Sequence, residues 1–190
     1  MNELSGEGAL IKYPVGMRIL HWSRALLIIG LIWSGWTMTG LPESTSGETF
    51  GLFYDNHKQF GVLVWLLALV HLIIRWRSRP LPPTPAALSW WERALSHLVH
   101  RLIIALTLLI PAMGYAMSSS FTQSDGVPFF FFGRVPELLP KNDDAFAVFQ
   151  ALHRYSAYAL LCLVLLHVAG ALKHRLTDKG GETDVLPRML

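Results

Sequence analysis

Eight histidines occur in this chain of 190 residues. Two pairs of them share one spacing: His57 and His71 are fourteen residues apart, as are His153 and His167. On an α-helix that separation is about 21 Å along the axis and about 40° short of four turns. Each pair therefore projects from nearly one face of its helix, with one imidazole toward either end. Three chemistries use imidazoles placed this way. A haem iron held from both sides needs two facing histidines and no other protein ligand. Zinc needs more ligands, and no cysteine cluster or carboxylate accompanies these histidines. A proton relay is the third reading. Two pairs at one spacing favour two haems, stacked across a bilayer as an electron path. They would be non-covalent b haems, because the chain has no C-x-x-C-H attachment motif and Cys162 is its single cysteine.

Two more histidines extend the pattern. His21 and Gly35, and His100 and Gly114, are again fourteen apart. A flat macrocycle needs room, so Gly35 and Gly114 are expected to line the haem at the far end from His21. The partner of His167 stays open on spacing: His71 has the right face and depth and is slightly favoured, and His21 also fits.

Composition says what positions these residues. The chain is 52% hydrophobic and only 15% charged, against about 25% charged in soluble domains. That shortfall argues against a soluble enzyme and against disorder. The whole chain, 1–190, reads as one all-α integral membrane domain. Its four helices are expected over about 19–39, 57–76, 90–117 and 144–175, lengths that suit a bilayer. Ser89 and Glu92 form a capping box before the third helix, and Pro111 inside it predicts a kink. Asp143 and Asp144 read as the cap region of the fourth. The first span lacks a small-residue cleavage site and is interrupted by Arg24, so it does not read as a signal peptide.

Twelve of the sixteen Lys and Arg fall in the N-terminus, the middle connection and the C-terminal tail; the others are Lys58, Arg134, Lys141 and Arg154. By the positive-inside rule both termini are cytoplasmic. The net charge of +3 thus reflects topology, and no nucleic-acid partner is expected. Residues 40–56 read as an external loop, 79–85 as a stiff Pro-rich linker, and 118–149 as a long external loop. In that last loop Phe129–Phe132 would cap the bundle or anchor in the interface. Cys162 reads as core packing, and the tryptophans as interfacial anchors. No nucleotide-binding fingerprint or catalytic triad is present.

Taken together, the chain resembles the bacterial cytochrome b561 family. His21-Trp22, His57, Ser96-His97-Leu98-Val99-His100, His153 with His167, and Ala171-Leu172-Lys173-His174-Arg175 carry the likeness. The resemblance implies a four-helix bundle in the bacterial inner membrane, surrounded by lipid, with two b haems. It implies His21 with His167 as ligands of the cytoplasmic haem iron, and His57 with His153 for the external one. His71 is then an additional histidine beside the cytoplasmic haem. Family members exchange electrons with quinone, and at least one resembles a superoxide oxidase that passes electrons from superoxide to ubiquinone.

Other residues take roles around that frame. His97, His100 and His174 are candidate quinone-site residues at the cytoplasmic interface. Arg24, Lys58 and Arg154 are candidate contacts for haem propionates, and Lys58 and Arg154 could also attract an anionic donor. Two function classes follow: a superoxide:quinone oxidoreductase, or an electron-carrying cytochrome subunit that is quinol-linked or docked on a redox protein.

Overall fold

The computed structural model describes residues 12–77 and 84–190. Most of the expected Pro-rich linker, residues 79–83, lies outside the described residues. Four long helices make up the molecule: α1 (Val15–Thr39), α2 (Gly47–Arg77), α3 (Trp90–Ser120) and α4 (Asp143–Thr177). All four are long and apolar enough to cross a membrane. The apolar side chains on their outer faces, such as Leu26, Ile29, Trp33, Val70 and Leu165, are exposed, as lipid contact requires. The expected four-helix membrane bundle is therefore present.

The ends of the elements differ from the sequence reading in instructive ways. The second helix starts ten residues earlier than expected, at Gly47. Ser46 accepts from the Thr49 amide and caps this start, so the connection between α1 and α2 shrinks to residues 40–46. The acidic, Gly-containing stretch that reads as a loop is two to three turns of helix. At α4 the cap is Asn142, whose side chain accepts from the amides of Asp144 and Ala145 at 3.0 Å each. Asp143 and Asp144 occupy the first turn instead, where carboxylates suit the positive helix end. The capping residues of α3 are as expected: Glu92 accepts from the Ser89 amide and hydroxyl at 3.1 and 2.6 Å. Pro111 sits inside α3 without ending it.

The centre of the bundle is one apolar layer made by Ile28, Val64, Ile110 and Leu160. Three of these follow a histidine by seven residues, two helical turns: Ile28 after His21, Val64 after His57 and Leu160 after His153. The fourth helix face at this level is Thr107, seven residues after His100 and 1% exposed. Histidines thus stand about 10 Å to either side of a packed middle.

The connection after α3 is built on Ser118, Ser119 and Ser120, all buried. The Ser120 carbonyl accepts from the Asn142 amide at 2.7 Å, and the Ser119 hydroxyl from the Leu139 amide at 3.0 Å. Between them a short hairpin pairs β1 (Val127–Pro128) with β2 (Arg134–Val135). Its tip, Phe130–Phe132, divides the two roles foreseen for the phenylalanines. Phe130, 39% exposed, packs edge-on against Phe60 of α2, while Phe131 and Phe132 are more exposed, at 88% and 71%.

At the opposite end, the chain after α4 folds back over the start of α1. The Tyr13 amide donates to the Arg188 carbonyl at 3.0 Å, and Trp22 Nε1 to the Met189 carbonyl at 2.8 Å. Buried Asp184 fastens this tail by accepting from Arg175 at 2.7 Å and from the Gly180 amide at 3.0 Å. Burial pushes the Asp184 carboxyl up, but the Gly180 amide and the Arg175 guanidinium outweigh it and hold it below the ordinary carboxylate value. Both ends of the described chain therefore meet at one end of the bundle, termed here the termini end; the other is the loop end.

Candidate functional site

Two opposed imidazole pairs lie on either side of the apolar layer. At the loop end, His57 of α2 faces His153 of α4 with ring centres 6.1 Å apart. At the termini end, His21 of α1 faces His167 of α4 at 6.2 Å. A metal–imidazole bond is about 2 Å, and a ring nitrogen lies about 1.1 Å from the ring centre. Two imidazoles on opposite sides of one iron therefore have centres about 6 Å apart. Both separations match that requirement.

The loop-end pair is also held in the right protonation form. His153 Nδ1 stands 3.0 Å from the Ile110 carbonyl. A carbonyl only accepts, so Nδ1 carries the proton and Nε2 keeps a lone pair. His57 Nδ1 stands 2.9 Å from the Ser34 hydroxyl, which itself donates to the Leu31 carbonyl at 3.1 Å. Ser34 is thus left as acceptor, and His57 takes the same tautomer. Fixing the distant ring N–H in this way orients a metal-binding imidazole and raises its basicity.

The two glycines belong to this pair through its imidazoles. A Cβ on Gly114 would lie 3.1 Å from both Cε1 and Nδ1 of His153, and one on Gly35 would lie 3.3 Å from Cε1 of His57. Each glycine admits an imidazole ring from a neighbouring helix.

The termini end is more crowded. His100 of α3 lies against His167 with ring centres 4.8 Å apart, too close for the two to flank one iron. Its Nδ1 donates to the Ser96 carbonyl at 2.6 Å. Trp22 packs edge-on against His21 at 5.3 Å, so the tail that binds Trp22 braces one wall of this pair. No ring contact joins His71 to His167 among the described residues. His71 Nδ1 is buried without a hydrogen-bond partner, on the same side as Arg24 and His21. No cluster of three or more His, Cys, Asp or Glu suited to a bare metal ion occurs among the described residues. A cofactor that brings its own equatorial ligands fits two imidazoles; zinc does not.

The remaining candidates are dispersed. His97 and His100 are exposed, and His174 lies 3.8 Å from Glu92, which also binds Lys173 at 2.7 Å. No described contact joins the three. Lys58 is not loose beside His57: its ammonium donates to the Gly126 carbonyl at 3.2 Å and ties the hairpin to α2. Arg154 is exposed. Arg24 is buried and donates to Thr107 Oγ1 at 2.8 Å. Cys162 is exposed rather than packed in the core. Sequence reasoning passed over Ser34, Thr107 and the tail. The first two carried a usable signal, being polar residues inside apolar spans.

Four membrane-crossing helices with opposed imidazoles at two depths define an integral membrane protein whose facing histidines suit a metal-centred cofactor. The prokaryotic cytochrome b561 family model matches residues 12–190, and the chain belongs to that family. Two relatives in Escherichia coli (strain K12) agree. Cytochrome b561 homolog 1 is 29% identical over 164 residues, covering 84% of this chain and 88% of the relative. Cytochrome b561 homolog 2 is 28% identical over 189 residues, covering 94% and 91%. The family is one of haem b proteins that carry electrons in membranes, and this chain is a multi-pass bacterial membrane protein.

Proposed function

We propose that the chain holds two non-covalent b haems, one between His57 and His153 and one between His21 and His167. In this reading it moves electrons across the bacterial inner membrane between a donor at the loop end and quinone at the termini end. The observation that carries the proposal is the two pairs of opposed imidazoles, at 6.1 and 6.2 Å. Bound there, haem supplies one-electron chemistry. The protein's own residues do the rest. Ser34 and the Ile110 carbonyl hold the loop-end ligands in their metal-binding tautomer, and Gly35 and Gly114 give the rings space. The Ile28, Val64, Ile110 and Leu160 layer keeps water out of the interval. The concentration of Lys and Arg in the N-terminus, the middle connection and the C-terminal tail supports a cytoplasmic termini end. There His100, beside His167, and His174 and His97 at the interface are the groups available to protonate a reduced quinone.

At the loop end, Arg154 is an exposed cation directly after a ligand, and Lys58 adds a second charge beside the other. That local field suits a small anion, which favours superoxide as donor over a docked protein. Acid–organic extraction with haem quantification gives two haems per chain in this reading, and none retained on the denatured polypeptide. Stopped-flow mixing of the oxidised protein with superoxide gives fast haem reduction, slowed by salt and by Arg154→Glu, and turnover on addition of ubiquinone. If superoxide leaves both haems oxidised while quinol reduces them, the chain is a quinol-linked electron carrier instead.

A further inference from the structure

Arg24 is 7% exposed, inside the bundle, and forms no ion pair with any described residue. Its Nη2 donates to Thr107 Oγ1 at 2.8 Å, and the Thr107 hydroxyl donates to the Ile104 carbonyl at 2.9 Å. Its Nε is buried with no partner. A desolvated guanidinium without a counter-charge is costly in a membrane and is a functional feature by default.

The position of that charge follows from Thr107. It lies seven residues, about 10 Å along α3, from His100 on one side and from Gly114 on the other. His100 touches His167, and Gly114 adjoins His153. The guanidinium on Thr107 therefore sits midway between the levels of the two imidazole pairs, in the apolar layer. The groups within electrostatic reach, His21 on α1 itself and His71 on α2, are basic as well, and both lie toward the termini end.

We propose that Arg24 is a fixed positive charge between the two haem sites that raises the reduction potential of both. The inference rests on the two-haem reading above. Reduction adds one electron from the donor to each ferric centre and breaks no bond, so each centre loses one unit of positive charge. A nearby cation therefore disfavours the ferric form. Arginine keeps its proton in a desolvated site where lysine would release it, so the bias persists at any physiological pH. A unit charge about 10 Å away, at an effective dielectric constant near 20, changes each ferrous/ferric equilibrium constant on the order of tenfold. For a one-electron couple that is about 59 mV.

The test is optical redox titration of the purified full-length protein with haem quantification, in wild type, Arg24→Gln and Arg24→Met. Both variants remove a buried unpaired charge, which relieves the fold, and Met keeps similar reach without polarity. The expected result is two haems per chain in every form, with both potentials lowered on the order of tenfold in equilibrium constant in both variants. Two retained haems with unmoved potentials overturn the proposal. So does loss of the haem between His21 and His167 with the other potential unchanged, which makes Arg24 a propionate anchor. A wild-type protein with fewer than two haems overturns the parent reading, and this one with it.

Discussion

Gly114→Ala is the sharpest test of how the loop-end site is built. The added methyl would stand 3.1 Å from both Cε1 and Nδ1 of His153, several tenths of an ångström inside ordinary contact. The ring cannot simply retreat, because Nδ1 is held on the Ile110 carbonyl at 3.0 Å, one helical turn from the substituted position. Overpacking of this kind costs about 1–3 kcal/mol, and losing the hydrogen bond adds about 1 kcal/mol. Since about 1.4 kcal/mol is a factor of ten in affinity, haem affinity at this site falls by roughly ten- to several-hundred-fold. Helix propensity pulls the other way, with Ala favoured over Gly by up to about 1 kcal/mol. The signature is therefore a helix no less stable that has lost one haem. Gly35→Ala is milder, at 3.3 Å from Cε1 and 3.9 Å from Nδ1 of His57, and Gly30→Ala, with nothing within 4 Å, is the control. Haem per chain by extraction, with helicity by circular dichroism, reads the series. Full haem content in Gly114→Ala, or equal loss in Gly30→Ala, would refute the reasoning.

Two further outcomes follow from the same geometry. His21→Ala loses the termini-end haem and His71→Ala keeps both, because His21 stands 6.2 Å from His167 and no ring contact joins His71 to it among the described residues; the reverse result in haem quantification reassigns the ligand. The tail clasp responds to acid in a defined direction. Asp184 has a depressed pKa in the folded chain, so its contribution is complete above the ordinary carboxylate value and is lost as pH falls through the lowered one. Hydrogen-exchange protection of residues 180–190, taken relative to the intrinsic exchange rate at each pH, is expected to hold from pH 7 to about pH 5 and to fall at lower pH, with Asp184→Asn already poorly protected at neutral pH. Equal exchange in both proteins would show that Asp184 does not fasten the tail.

Much of this protein is determined by local rules. A membrane helix must satisfy its own backbone and cover its length in apolar side chains. Four spans could therefore be read from hydropathy, and the start of α3 from Ser89 and Glu92. The histidine depths follow equally from a fixed rise per residue, which is why His57 and His153, and His167 with one of two partners, were visible before any fold. What periodicity could not decide was contact across helices. His21 and His71 have nearly equal merit in one dimension, and only the arrangement of the helices around the bundle brings His21 to His167. The partner of each Nδ1, the imidazole seated on each glycine, and the union of Arg24 with Thr107 depend on side chains from helices far apart in sequence. The early start of α2 was missed because a polar, Gly-containing stretch reads as a loop when hydropathy alone is the guide, although its backbone is free to be helical beyond the hydrocarbon layer. The tail gave no periodic signal at all: its hold on α1 rests on backbone carbonyls and one buried carboxylate, and those find their donors only once the bundle has formed.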